Sequence, residues 1–230
     1  MESPGQIFLS EQRGVISTKE YCRSCTFNFD SFLEADGQAF GLLYVLNDEI
    51  LGSGATLKMA VYDDFWVVLI PVTGELNYAE SEGSTNNGIQ PEQLRIGYMP
   101  AGSSFNVTNP YESDEINFLQ LWIKAEGVRK PVGIVLDFDL VETSGHLFNP
   151  DVEALGCPFK ITLAKMDGRQ EIVYDVSGKG ASVFAFVLGG AFEVEGRLLH
   201  PRDGLGLWNI TEIEAEALSE GAVLLILELL

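Results

Sequence analysis

Residues 54–66 read Gly54-Ala-Thr-Leu-Lys-Met-Ala60-Val-Tyr62-Asp-Asp-Phe-Trp66, and residues 100–109 read Pro100-Ala-Gly102-Ser-Ser-Phe105-Asn-Val-Thr-Asn109. Between them, Trp66-Val-Val-Leu-Ile-Pro-Val72 is a short apolar run closed by Thr73-Gly74. Short apolar or alternating runs bounded by glycine turns are the mark of strands, and helical periodicity is missing here. The same grammar fills the chain. It predicts strands over 6–9, 26–33, 40–46, 56–62, 66–72, 75–79, 94–99 and 116–123, then over 158–165, 171–176, 182–188, 191–195, 204–209 and 223–229. Asp36-Gly37, Asn47-Asp48, Asp167-Gly168, Gly189-Gly190 and Asp203-Gly204 read as turns between them. Many short strands at such spacing make an all-β sandwich or barrel. The one helical signal is Asn149-Pro150-Asp151, an N-cap followed by Pro, which opens a turn through Leu155.

The pattern occurs twice. Val67-Val-Leu-Ile-Pro-Val-Thr-Gly74-Glu-Leu-Asn-Tyr matches Val183-Phe-Ala-Phe-Val-Leu-Gly-Gly190-Ala-Phe-Glu-Val. Each copy runs on through a Pro, Pro91 or Pro201, to a closing apolar strand at 116–123 or 223–229. Two β-modules are expected, at 1–126 and 158–230, joined by a linker over 127–157 that includes Lys130-Pro131. The polar loop Glu80–Gly88 is the first copy's insertion.

The spacing of Gly54, Gly74, Pro100, Gly102 and Asn109 is similar to the two motifs of a cupin. That resemblance places metal ligands at the positions of Ala60, Tyr62, Trp66 and Phe105. A catalytic transition-metal site needs imidazole, thiolate or carboxylate donors at about 2.0–2.3 Å. Ala and Phe offer none, and Trp offers only an N–H. One phenolate, Tyr62, does not make a site. Asp63 and Asp64 read as solvated acids at a strand end, and His146 and His200 lie outside the frame.

Further strings extend the resemblance. Thr26-Phe27-Asn28-Phe29, Leu43-Tyr-Val-Leu-Asn-Asp-Glu49, Asn109-Pro110 and Gln120-Leu-Trp122-Ile123 stand in order, followed by Asp203-Gly-Leu-Gly-Leu-Trp208 and Val223-Leu-Leu-Ile-Leu-Glu-Leu229. Together they resemble the pirin-like bicupins over nearly the whole length. The resemblance implies two tandem antiparallel β-barrels of the double-stranded β-helix, jelly-roll type. It also implies an iron-type metal in a His3Glu shell in the N-terminal barrel. Some members open flavonols such as quercetin with dioxygen, and eukaryotic ones act as nuclear cofactors of transcription regulators. The replaced ligands remove the warrant for that dioxygenase chemistry.

Two readings of the altered site follow. Its aromatic residues fill the former cavity, each burying about 150–250 Å². Alternatively they line an apolar pocket for a planar molecule, with Tyr62 as polar handle. By alternation the pocket candidates are Ala60, Tyr62, Trp66, Phe105, Phe118 and Gln120. No catalytic residue, metal or cofactor is expected.

Composition narrows the partners. The chain of 230 residues carries 34 acids against 14 bases, a net charge of −20 spread over both halves. Phosphate backbones and anionic lipids are repelled by such a surface, so neither nucleic acid nor membrane is an expected partner. No apolar run approaches the ~20 residues that span a bilayer. The start Met1-Glu-Ser-Pro-Gly-Gln lacks a signal-peptide pattern, and a cytoplasmic protein is expected. Cys22, Cys25 and Cys157 fit a reducing compartment, and Cys22-Arg-Ser-Cys25 reads as two ordinary strand cysteines. The expectation is a non-catalytic bicupin, compatible with a monomer, that binds a small aromatic molecule or a protein partner. A dioxygenase with a rearranged metal site and a purely structural or interaction module are the alternatives.

Overall fold

The computed structural model of the chain describes residues 3–35, 37–80, 87–127, 132–150, 152, 155–178 and 180–230. They form two compact units. One is 13–138, and the other combines 1–12 with 139–230. The expected Lys130-Pro131 pair lies outside the described residues, and the Glu80–Gly88 loop and the helical turn at 149–155 lie partly outside them.

In chain order, β1 (Gly5–Phe8) is followed by β2 (Gly14–Ser17), β3 (Tyr21–Cys25), β4 (Leu43–Leu51), β5 (Thr56–Ala60), β6 (Phe65–Thr73) and β7 (Leu76–Ala79). Then come β8 (Asn87–Ile89), β9 (Gln93–Met99), β10 (Ser104–Thr108), β11 (Ile116–Lys124) and β12 (Val132–Asp137). The rest are β13 (Leu147–Phe148), β14 (Phe159–Met166), β15 (Glu171–Asp175), β16 (Ser182–Gly189), β17 (Phe192–Val194), β18 (Arg197–Leu199), β19 (Gly204–Trp208), β20 (Glu212–Ala217) and β21 (Ala222–Leu229).

In the first unit a seven-stranded sheet, β12-β9-β6-β11-β4-β3-β2, packs against a four-stranded sheet, β5-β10-β7-β8. All of its pairings are antiparallel. The core between the sheets is built from alternate residues of each strand, among them Val45, Leu57, Met59, Phe65, Val67, Leu69, Phe105, Phe118 and Trp122. This follows from the period-2 geometry of a strand. Pro71 sits in central β6, where a missing N–H would break a ladder. The pairing of β6 with β11 slips between Asn117 and Phe118 at that point, so a bulge accommodates it.

The frame residues hold turns. Gly54, Gly74 and Gly102 have φ of 64°, 76° and 82°, in the left-handed region that glycine enters without strain. The Asn109 Nδ2 group donates to the carbonyls of Leu51, Gly52 and Asp114 at 2.7–3.0 Å, and its Oδ1 accepts from the Tyr111 N–H.

In the second unit β1-β19-β16-β21-β14-β13 packs on β15-β20-β17-β18 around its own core. The repeat is visible as a pair of equivalent motifs. Central β6 lies between β9 and β11, and central β16 lies between β19 and β21. Gly74 and Gly190 both take positive φ after those strands.

Several expectations are corrected. Residues 26–33 make no strand; they turn back on themselves through a Phe29–Phe32 bridge, with Asp30 at φ 52°. Asn47-Asp48 is no turn but the middle of β4. Residues 132–137, placed in the linker, pair as β12 with β9. Residues 1–12, placed in the N-terminal module, join the second unit instead. There β1 pairs with β19, Asp203 accepts from the Ser10 N–H at 2.7 Å, and Phe8 meets Phe184 at 5.3 Å.

Candidate functional site

The two cupin-like motifs lie on β5 and β10, which pair Ser104 to Thr108 against Ala60 to Thr56. Strand alternation then decides which side chains converge. Leu57 and Met59 are buried in the core, whereas Thr56, Lys58 and Ala60 face outward. On β10, Phe105 and Val107 point inward, directly across from Met59 and Leu57. The residues at the heart of the module are therefore Leu57, Met59, Phe105 and Val107.

Of the six sequence candidates, Phe105, Phe118 and Gln120 are brought together inside. Phe105 packs on Tyr78 at 5.7 Å and Trp122 at 6.1 Å. Ala60 is exposed and points away. Tyr62 lies past the end of β5 and is 65% exposed, with its ring resting against Phe65 at 5.5 Å and Trp122 at 6.2 Å. Trp66 is fully buried, but on the opposite sheet face from Phe65 and Val67, against Tyr98 at 5.8 Å. It lines no pocket with Phe105. Spacing counted from Gly54 put Ala60 and Tyr62 inward; the ladder with β10 makes the odd-numbered residues of β5 the inward ones. Asp64 is not idle: its carboxylate accepts from the Ala101 N–H at 2.9 Å, and Asp63 pairs with Lys124.

The sequence reading missed a buried polar chain in the same interior. Arg23 on β3 donates through Nε to Glu49 Oε1 at 2.5 Å. The same Glu49 oxygen accepts from Gln120 Nε2, and Gln120 Oε1 accepts from Trp122 Nε1 at 3.1 Å. Arg23 Nη2 reaches the Met59 sulfur at 3.4 Å, and its guanidinium lies 4.8 Å from the Phe29 ring centre. Arg23 and Glu49 are almost completely buried. Burial pushes the Glu49 carboxyl above its ordinary range, opposed by the charge and hydrogen bond of Arg23. Among the described residues, Glu49 Oε2 and both amide atoms of Asn47 are buried without a hydrogen-bond partner. The signal was present as polar residues at alternate positions of otherwise apolar strands: 23 between 21 and 25, and 47 and 49 between 45 and 51.

These residues do not fit a catalytic metal. The inward quartet supplies one thioether, from Met59, and that sulfur already faces Arg23. A guanidinium in the interior repels a cation. Among the described residues, no three His, Cys, Asp or Glu side chains cluster as a metal site. His146 and His200 are exposed in the other unit. Cys22 and Cys25 are free thiols on β3, and burial pushes Cys25 up to about 12, out of the nucleophilic range.

Beside this interior a cleft of about 370 Å³ is lined by Tyr78, Glu80, Asn87, Ile89, Arg95, Gly133, Ile134 and Val135. Arg95 on β9 is buried, and its guanidinium carbon sits 3.7 Å from the centre of the Tyr78 ring. Its Nη2 donates to Glu80 at 2.8 Å, while Nη1 is buried with no acceptor among the described residues. Burial lowers the Arg95 pKa from its usual value and raises that of the Tyr78 phenol.

Residues 158–229 match the family model of the quercetinase C-terminal cupin domain. The pirin-like protein YhaK of Escherichia coli K12 is 28% identical over 100 residues, 44% of this chain and 42% of that protein. The alignment thus spans under half of YhaK. Quercetin 2,3-dioxygenase of the same strain is 22% identical over 209 residues, covering 87% of this chain and 88% of the other. Among solved structures, YhhW from Escherichia coli superposes with a TM-score of 0.86 over 99% of this chain and 98% of that one, at 17% identity. Residues 158–229 thus match a quercetinase-type cupin domain, and the chain as a whole has the fold of YhhW, so it is similar to the pirin-like bicupins.

Proposed function

We propose that this chain is a pirin-like bicupin that binds a small molecule in its N-terminal module and does not carry out metal-dependent dioxygenase chemistry. The observation that carries the reading is the inward quartet Leu57, Met59, Phe105 and Val107 beside the buried Arg23–Glu49 pair. Side chains that offer a single thioether between them stand where a cation would have to be held, and a fixed positive charge stands next to them. The cleft at Arg95, open to solvent and walled by both apolar and polar groups, supports binding as the remaining use of the module. The acidic surface supports a basic protein partner less directly, since net charge alone is also what solubility requires.

The quercetin 2,3-dioxygenase relative sets the test. Purified chain, loaded separately with iron, nickel, copper or manganese, is incubated with quercetin in air while dissolved oxygen and flavonol absorbance are followed. No protein-dependent oxygen uptake is expected with any metal. Sustained turnover that a chelator abolishes overturns the reading and makes the chain an enzyme with a rearranged site.

A further inference from the structure

The Arg95 guanidinium is held flat in a slot. The Tyr78 ring covers one face. On its other contacts, a Cβ added to Gly97 would come within 2.4 Å of Nη1, and one added to Gly133 within 2.6 Å of Nη2. The two glycines therefore leave the room the guanidinium occupies. Such a slot fixes the plane of a fork that binds carboxylates through two parallel hydrogen bonds. Only half of that fork is used. Glu80 takes Nη2, is 54% exposed at its side chain, and among the described residues leaves Nη1 buried without an acceptor. A buried donor without an acceptor costs free energy, more so on a charged group, and persists where something else satisfies it.

The cleft walls describe what that something is. Ile89, Ile134 and Val135 are apolar, Asn87 offers an amide, and a volume of about 370 Å³ suits a compact molecule. A second negative charge on the ligand would face Glu80 and the acidic surface. We propose that this cleft is a binding site for a small organic monocarboxylate with an apolar body. Its carboxylate displaces Glu80 from Arg95 and spans Nη1 and Nη2. The assignment rests on the small-molecule reading above and names its ligand class.

Calorimetric titration of the full chain with benzoate, and with the neutral benzamide of the same shape, tests it. Benzoate should bind at the cleft, and benzamide at least about tenfold more weakly, as losing a charge-assisted hydrogen bond implies. Arg95→Met should abolish benzoate binding. Glu80→Gln, which removes the competing carboxylate from a half-exposed position, should tighten it. Because Arg95→Met removes a buried side chain, its fold is checked by circular dichroism; if it is lost, benzamide and Glu80→Gln decide. Equal affinity for benzoate and benzamide overturns the carboxylate assignment and leaves the small-molecule reading standing. Absence of benzoate binding, or unchanged affinity in Glu80→Gln, overturns the proposal too. Oxygen uptake with quercetin tests the non-catalytic reading independently of these outcomes.

Discussion

At the scale of single residues, Arg23 and Glu49 define the interior. Burying a charge is costly unless it is paired and hydrogen-bonded, and this pair meets at 2.5 Å with Gln120 as a further donor. Breaking such a pair on one side leaves the other charge stranded, at a cost of about 3–5 kcal/mol. Arg23→Met and Glu49→Gln should each lower the urea stability of the N-terminal module by roughly that amount. The double replacement Arg23→Met with Glu49→Leu should recover most of the loss, since two apolar groups leave no stranded charge. Single variants within about 1 kcal/mol of the parent would show that the pair is not buried as described. This part of the site was the least legible in the sequence. Arg23 stood inside a Cys-x-x-Cys and Glu49 after an Asn-Asp, and both contexts suggested something else. Phe118 and Gln120 were legible because the closing strand's alternation is strict, and Phe105 from its place in the second motif. Ala60 and Trp66 were misplaced because a spacing frame gives position along a strand but not its register with a partner.

At the scale of elements, strands with apolar or alternating runs were readable in advance, from β5 and β15 with alternate burial to the apolar β6, β16 and β21. Those missed had other compositions. Strand β10 reads Ser-Phe-Asn-Val-Thr, β12 is an edge strand with exposed side chains, and β20 reads Glu-Ile-Glu-Ala-Glu-Ala with only alternate positions buried. The frame glycines were readable because positive φ demands them. Strand β21 carries another buried acid. Glu228 accepts from the Tyr174 hydroxyl at 2.7 Å, from the Ser177 N–H and hydroxyl at 2.9 and 2.8 Å, and from the Gly178 N–H at 3.0 Å. Burial pushes its carboxyl up, but these hydrogen bonds together hold it below its ordinary value of 4.5. A depressed folded pKa contributes stability that is present above 4.5 and is lost as pH falls through the lower folded value. Acid titration of the C-terminal unit should therefore show a loss of stability beginning below 4.5 that Glu228→Gln makes shallower. An unchanged acid slope in the variant would contradict the role given to this carboxylate.

At the scale of the whole molecule, the chain's first strand completes the sheet of its last module. Sequence reading could not see this, because pairing between residues 5–8 and 204–207 leaves no local trace. Without β1, the β19 edge would present unpaired backbone groups to solvent. Deletion of residues 1–12 should increase amide hydrogen exchange across Gly204–Trp208 while leaving β6 and β11 protected. Faster exchange in β6 and β11 instead would place the segment's contribution in the N-terminal module, as its position in the chain first suggested.

The two-module repeat shows one architecture carrying different interiors, and what an interior can hold depends on which side chains point inward. The most direct test is calorimetric titration of nickel(II) into metal-stripped protein. The parent should show no site in the N-terminal module. A chain carrying Leu57→His, Met59→His, Phe105→His and Val107→Glu should take up about one nickel ion, because these four positions converge. A parent that binds one nickel per chain would contradict the account. So would uptake by a variant built at Ala60, Tyr62, Trp66 and Phe105 when the inward set takes up none.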